Sequence, residues 1–515
     1  MSSQRPDVLF IVLDTQRADR LSCYGYPLNT TPNLDAFAAQ ATRFETAIAP
    51  AQWTIPSHAS MFTGVYPSEH GMTQSYSVMP DEVPTLAERL RDSGYFTAGF
   101  CNNPLVGVIN NGLRRGFQSF LNYSGLLTSR PNQAGASPGL VGRYRQWFKR
   151  QISGVMTKIQ DAFARSDWLL ALSFTPIMVP LWQTALSFKG NTAKSLEDTA
   201  RLLCDRDDTA PNQPIFAFVN LMGTHMPYHP PRPYIEKYAP HVLRDRDARN
   251  FLQRFNNDVY GWLAPLTGAL DNDQKKTLDG MYDAEVAYQD ALLGSFFEKL
   301  EQAGRLDNTL VIICADHGEH LGEKQLMGHS LSIYNELVRV PLIIRQPGQN
   351  QAQVVSEVVS TRRLFQTVLD AAELANHQEQ PLTLLPQSQT HLETDFVFAE
   401  AIPPQNVVNL MQKRQPDLVR DRACDQPRRA VWMGTHKLIE VGDTAIELYD
   451  VQEDPQETLN ISAILPENVE ALQECLQSFA GEINGYGTLI TARRAPGYDN
   501  PEVQRRLQDL GYLED

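Results

Sequence analysis

The stretch Val8-Leu9-Phe10-Ile11-Val12-Leu13-Asp14, "VLFIVLD", decides how the rest of the chain is read. An unbroken apolar run of strand length, rich in β-branched residues and closed by a carboxylate, reads as a strand buried on both faces. The polar turn "TQRADRLSCYGY" follows it. "TPNLDAFAAQATRF" then has helical spacing, with Leu34, Phe37, Ala38 and Ala41 on one face. "TLAERLRDSGYFTAGFCN" reads as a helix ending near Gly94 and then a strand. "PIFAFVNLM", "TLVIICAD" and "VPLIIR" repeat the short apolar pattern next to helical segments such as "MYDAEVAYQDALLGSFFEKLEQAG". Alternation of this kind predicts an α/β fold, a large mostly parallel sheet sandwiched by helices. From about residue 380 the pattern changes. "RAVWMGTHKLIEV" and "AIELYDV" read as a hairpin and "PENVEALQECLQSFAGEI" as a helix. The expected organisation is therefore a catalytic domain over 1–380 and a smaller α+β subdomain over 381–515.

Composition narrows the function. The chain has 515 residues and a net charge of −15, which argues against a general nucleic-acid binder. An anionic substrate stays open, because a bound metal reverses the local field. "MSSQRPDVLFIVLD" lacks the pattern of a secretory leader. Cys23, Cys101, Cys204, Cys314, Cys424 and Cys475 form no CxxC pair, so reduced thiols and a cytoplasmic location are expected.

The chemistry-bearing residues fall just past strand ends, where open α/β sheets bind ligands. Asp14 closes the first strand, and Asp316 and His317 close "TLVIICADH". Thr54 lies in the Pro-containing turn "AQWTIPSHASMFTG" that leads into a helix. His225 in "GTHMPYHPP" and His329 in "LMGHS" are separate loop histidines. Two carboxylates and an imidazole suit a divalent cation, and a hydroxyl bound to that cation loses its proton more easily. Singly these residues have ordinary uses: strand-end Asp as a turn residue, Thr54 as a helix cap, a lone His as packing. Their joint placement carries the reading.

The chain resembles the alkaline phosphatase superfamily in its sulfatase-like branch, nearly end to end. "VLDTQRADRLSCYGY", "TTPNLDAFAAQATRFETAIA", "PSHASMFTGVYPSEHGM", "THMPYHPP", "DHGEHLGE", "YNELVRVPLII" and "HKLIEVGDTAIELYDVQEDPQETLN" are similar to successive family segments, in order. Two departures stand out. Where sulfatases carry a Cys-x-Pro-x-Arg turn whose cysteine becomes formylglycine, this chain has Thr54-Ile55-Pro56-Ser57-His58. Where they carry a paired Asp-Asp, the second position is Thr15. The remaining Asp14, Thr54, Asp316 and His317 resemble the metal set of threonine-dependent phosphoethanolamine and phosphoglycerol transferases, whose loop histidines His225 and His329 also resemble.

The resemblance implies a hydrolase or transferase of small anionic esters, most of all phosphodiesters, with Thr54 as nucleophile. The cofactor it implies is a divalent ion (Mn, Zn, Ca or Mg). His225 and His329 would neutralise oxygens or protonate the leaving group, and His58 is either a third oxyanion contact or a helix-surface residue. Glu319 and Glu323 read as solvated loop acids, or else as partners of the His ligand. The rival readings are a sulfatase that works without formylglycine and a catalytically silent binding protein.

A basic, apolar insertion at about 125–190 interrupts the domain. Phe148, Ile152, Val155, Met156, Ile159 and Phe163 share a helical face, and Arg143, Arg145, Lys149, Arg150, Lys158 and Arg165 surround them. Pro176 and Pro180 argue against a membrane span. Residues 143–188 then read as a lid or homo-oligomer contact, or as a peripheral membrane contact for a lipid-linked substrate.

Overall fold

A computed structural model describes residues 5–107, 109–123, 132–133, 189–206, 210, 213–257, 266, 268–376, 382–385, 396–442 and 445–485. The insertion at 143–188 and the boundary expected at residue 380 lie outside them. In chain order the strands begin with β1 (Asp7–Leu13), β2 (Thr42–Ile48), β3 (Phe96–Cys101), β4 (Ser119–Asn122) and β5 (Asn132–Gln133). β6 (Ile215–Leu221), β7 (Thr309–Cys314), β8 (His320–Leu321), β9 (Met327–Gly328), β10 (Arg339–Arg345) and β11 (Gln353–Ser360) come next. β12 (Phe396–Ala401), β13 (Arg428–Met433), β14 (His436–Val441) and β15 (Ala445–Asp450) end the series.

The main sheet has nine strands in the order β11-β2-β10-β7-β1-β6-β3-β4-β5. β1 lies between β6 and β7, parallel to both. β10 and β5 run against their neighbours. The expected α/β sandwich is the fold observed. All seven residues of β1 are buried, and they alternate between two apolar layers. Val8, Phe10 and Val12 meet Ile55, Ala59 and Phe62 of the Thr54–Thr63 helix. Leu9, Ile11 and Leu13 meet Leu293, Phe296 and Leu300 of the Asn272–Gln302 helix. Each such side chain contributes about 1.5–3 kcal/mol on burial, so β1 anchors both layers. Asp271 starts the long helix by accepting the Gln274 N–H at 2.8 Å in a capping box.

Register fixes the site. Val12 stands opposite both Asn220 and Cys314, so Asp14 leaves the sheet at the same level as Asp316. The loops after β1, β2, β3, β6 and β7 all open at this one edge.

One element differs from expectation. The helix that starts at Pro32 stops at Ala38, and Thr42–Ile48 is a strand rather than helix tail. Thr42, Phe44, Thr46 and Ile48 are β-branched or aromatic at alternate positions, a pattern that the helical spacing of Leu34, Phe37, Ala38 and Ala41 masked. The C-terminal hairpin belongs to an antiparallel sheet in the order β12-β13-β14-β15, backed by the Pro466–Gly485 helix through Leu472 and Leu476. Its other face packs Ala399, Trp432 and Ile439 against Ile48, Leu337 and Val338 of the main domain. All six cysteines are unpaired. No helix among the described residues is long and apolar enough to cross a membrane.

A buried ion pair fastens the small sheet to the site side of the large one. Lys437 Nζ lies 2.5 Å from Glu457 Oε1 and donates to Ile333 O at 2.7 Å. Glu457 Oε2 accepts the Asn335 N–H at 2.6 Å. Both side chains are fully buried, so removing one partner strands the other's charge. Lys437→Met should cost about 3–5 kcal/mol of stability. The double variant Lys437→Met/Glu457→Gln should recover most of that loss in thermal unfolding. Equal midpoints for wild type and the single variant would show that the pair carries no such strain.

Candidate active site

Asp14, Asp316 and His317 come together at the sheet edge. One ligand atom from each lies within 4.8 Å of the other two, and all three residues are buried. His317 donates its Nδ1–H to Gly318 O at 2.9 Å, which leaves the Nε2 lone pair facing the carboxylates. His317 Nε2 is 3.4 Å from Asp316 Oδ2 and 4.0 Å from Asp14 Oδ1. Those same two oxygens are buried with no hydrogen-bond partner. Their companions are held: Asp14 Oδ2 accepts from Asn103 Nδ2 at 2.7 Å, and Asp316 Oδ1 accepts the His317 N–H at 3.0 Å. Burial, and then the facing Asp14 charge, push the Asp316 acid well above the ordinary carboxylate range. Burial and the neighbouring His329 push His317 well below the imidazole range, so it is neutral. Unpartnered oxygens converging with a neutral imidazole nitrogen form a donor set that fits a divalent cation.

Thr54 borders this set. Trp53 is the N-cap and Thr54 the first helical residue, not the cap that its type suggests. Its Oγ1 lies 3.3 Å from His317 Nε2 and 3.4 Å from Asn103 Nδ2. Ser57 Oγ, one turn on, donates to Asp316 O at 2.6 Å and ties the helix to the acid.

His58 is no helix-surface residue. It is fully buried, edge-on to Phe62 and Phe218. Its Nδ1–H donates to Thr54 O at 2.9 Å, and its Nε2 lies 3.5 Å from Asn220 Nδ2. Burial pushes it down to about 4, so at neutral pH it is an uncharged prop beneath Thr54.

His225 and His329 face each other with ring centroids 5.1 Å apart, and His329 lies 4.6 Å from the His317 ring. Their surroundings push their pKa values in opposite directions. His225 gives its Nδ1–H to Met226 O at 2.6 Å, its buried Nε2 has no hydrogen-bond partner, and burial lowers its pKa. Burial also opposes charge on His329, but Glu319 Oε1 at 2.8 Å from its Nδ1 outweighs that and raises it. Glu319 is therefore no solvated acid. It is fully buried, and its partner is His329 rather than His317. Glu323 serves elsewhere, pairing with Arg17 at 2.9 Å.

Asn103 and Asn220 are the residues that motif reading missed. Asn220 Nδ2 reaches Asp14 Oδ2 at 3.3 Å, and its Oδ1 accepts the Asn103 N–H at 3.1 Å. The available signal was a lone amide inside the apolar strand "IFAFVNL". Thr15, standing where the family pattern has a second acid, adopts φ 59°. That left-handed conformation is strained for a β-branched residue, at a cost of roughly 1–3 kcal/mol. It turns the Thr15 N–H toward Asp316 Oδ1, 3.3 Å away.

A donor set with a hydroxyl at its rim, at the carboxyl edge of a parallel sheet, suits metal-assisted ester hydrolysis. The sulfatase family model matches residues 6–374, and the chain belongs to the sulfatase family. It is 23% identical to an arylsulfatase of Clostridium perfringens over 72% of this chain and 76% of that one. It is 24% identical to an N-acetylgalactosamine-6-O-sulfatase of Bacteroides thetaiotaomicron over 93% of both. Among solved structures, a phosphonate monoester hydrolase of Agrobacterium radiobacter shares the fold with a TM-score of 0.65 at 22% identity, covering 93% of this chain and 96% of that one.

Asp316→Asn should remove most of the divalent metal that purified protein carries, measured by elemental analysis, while the protein stays folded. Unchanged metal stoichiometry in that variant would take Asp316 out of the ligand set.

Proposed function

We propose that the chain is a metal-dependent hydrolase of small anionic esters that prefers phosphoesters, diesters above all, to sulfate esters and uses Thr54 as nucleophile. The observation that carries this reading is the Thr54 hydroxyl at the rim of the Asp14–Asp316–His317 set, 3.3 Å from His317 Nε2. Threonine cannot become formylglycine. A formylglycine hydrate expels sulfate by collapsing to its aldehyde, whereas a threonine sulfate must be cleared by water at a poorly electrophilic sulfur. A threonine phosphate is cleared by in-line displacement at phosphorus, whose charge the site can offset. The phosphonate monoester hydrolase among the structural neighbours is in keeping with phosphorus chemistry on this fold.

A bound divalent cation would lower the pKa of the Thr54 hydroxyl and draw charge from the ester oxygens. Asn103 holds Thr54 Oγ1 in place while it gives its proton to solvent and attacks phosphorus. As the P–O bond to the leaving alcohol breaks, protonated His329 supplies that oxygen's proton. His225, whose Nε2 has no hydrogen-bond partner, takes a proton from water as that water attacks the phosphothreonine. The bond from phosphorus to Thr54 breaks, and His225 returns the proton to Thr54 Oγ1. His329 regains its own from solvent.

The names of the sulfatase relatives favour a second reading, hydrolysis of sulfate esters by the unmodified threonine. Paired aryl phosphate, phosphodiester and sulfate substrates separate the two. Phosphoester turnover should exceed sulfate-ester turnover by at least about two orders of magnitude, roughly 3 kcal/mol in barrier. Thr54→Ala should abolish turnover, and intact-protein mass spectrometry with a slow substrate should show a phosphate-sized adduct on Thr54. Efficient multiple turnover of sulfate esters would favour the second reading, and full activity of Thr54→Ala would remove the nucleophile.

A further inference from the structure

Among the described residues no side chain hydrogen-bonds His225: its Nδ1–H goes to the carbonyl of the next residue and its buried Nε2 has no partner. Its aim depends on the loop Met222–His229, and that loop is gripped at both ends by one buried pair. Lys189 Nζ donates to Gly223 O at 2.9 Å and lies 2.7 Å from Glu285 Oε1. The same Glu285 oxygen accepts the His229 N–H at 2.7 Å. One ammonium and one carboxylate oxygen thus join the two ends of the segment that carries His225. Gln289, one helical turn beyond Glu285, accepts the Gly223 N–H at 3.0 Å. A Cβ on Gly223 would meet that Gln289 oxygen at 2.4 Å, so the loop lies directly on the long helix.

Lys189 is itself fixed. Gly190 follows at φ +68°, and a Cβ there would press on Asn102, the neighbour of Asn103. Asn191 then caps the Thr192–Cys204 helix by accepting the Lys194 N–H at 2.9 Å. The Lys189 and Glu285 side chains are 15% and 5% exposed, and a pair buried to that degree adds little net stability over apolar replacements. What such a pair does well is fix one geometry.

We propose that Lys189, through its bonds to Gly223 O and Glu285, is a positioning residue for His225. The inference rests on His225 acting as the base for water in the second half-reaction, as set out above. Among the described residues the hydrogen bonds of Lys189 go to Gly223 O and Glu285, not to Asp14, Asp316 or His317. Without it the loop keeps its fold but loses the tie between its ends, and the His225 Nε2 lone pair no longer dwells where the incoming water must give up its proton.

The test uses the full chain with its metal. Because Lys189→Met alone would strand the Glu285 charge, the informative variant is Lys189→Met/Glu285→Gln, whose introduced amide oxygen can still accept the His229 N–H. On an aryl phosphoester, kcat should fall at least about tenfold while KM changes less than about threefold. The first equivalent of phenol should appear as a burst, and the adduct on Thr54 should accumulate, because its release is the slowed step. Lys189→Arg should restore most of kcat. A double variant within about twofold of wild-type kcat, or one whose kcat loss comes without adduct accumulation, overturns the proposal. His225→Ala separates this from the function reading. If that variant is impaired while the double variant is not, the Lys189 role alone fails; if His225→Ala is fully active, both fall.

Discussion

Two carboxylates buried side by side are the constraint on which this site is built. Asp14 and Asp316 follow β1 and β7, which are neighbours in the sheet, so the fold forces them together, and neither has solvent to dilute its charge. Burial first, and then the facing Asp14 charge, raises the pKa of Asp316. The surrounding groups are arranged to relieve it. Amides from Asn103 and Asn220 and backbone N–H groups from Thr15 and His317 bond the outer oxygens. The inner oxygens are left bare beside a histidine whose tautomer is set by Gly318 O. The imidazoles near this cluster are tuned by the same burial: His58, His225 and His317 are pushed toward neutrality. On His329 the carboxylate of Glu319 outweighs that burial and raises the pKa instead.

How much of this was legible in the sequence follows from what a linear pattern can encode. Strand ends are legible, because apolar runs stop abruptly at polar residues; that is why Asp14, Asp316 and His317 could be picked out. Exposure is not. Glu319 in "DHGEHLGE" looks like a loop acid, and only the fold reveals that β8 and β9 bring it under His329. His58 looks like a surface helical residue because a 3.6-residue period assigns one outer face, yet every residue of the Thr54–Thr63 helix is buried. The asparagines were missed for a related reason. An amide has no spacing signature, and its role depends on two bonds across sequence separations of 89 and 206 residues.

The small C-terminal sheet does more than cap the fold. Leu331, two residues past His329, is packed into a separate apolar cluster with Val407, Met411 and Val419 from helices that follow β12. Gln52, two residues before Thr54, donates to both Ser330 O and Ile402 O. The threonine turn and the histidine loop are thus registered against each other through a strand from the far end of the chain. A site assembled from so many sequence-distant segments tolerates little independent movement of any one of them.

The central position of β1 also has a consequence for synthesis. Its neighbours in the sheet are β6 and β7, and the side chain of Asp7 waits for the N–H of Ile215, 208 residues later. At ribosomal rates of about 5–20 residues per second, this strand, apolar apart from Asp7, is made before both its partners and stays unpaired for roughly 10–40 s. During that interval it is a naked strand with both edges open, the kind of segment that chaperones bind and aggregates recruit. The order of the genetic text and the order of the sheet differ most at β1, and the nascent chain must bridge that difference.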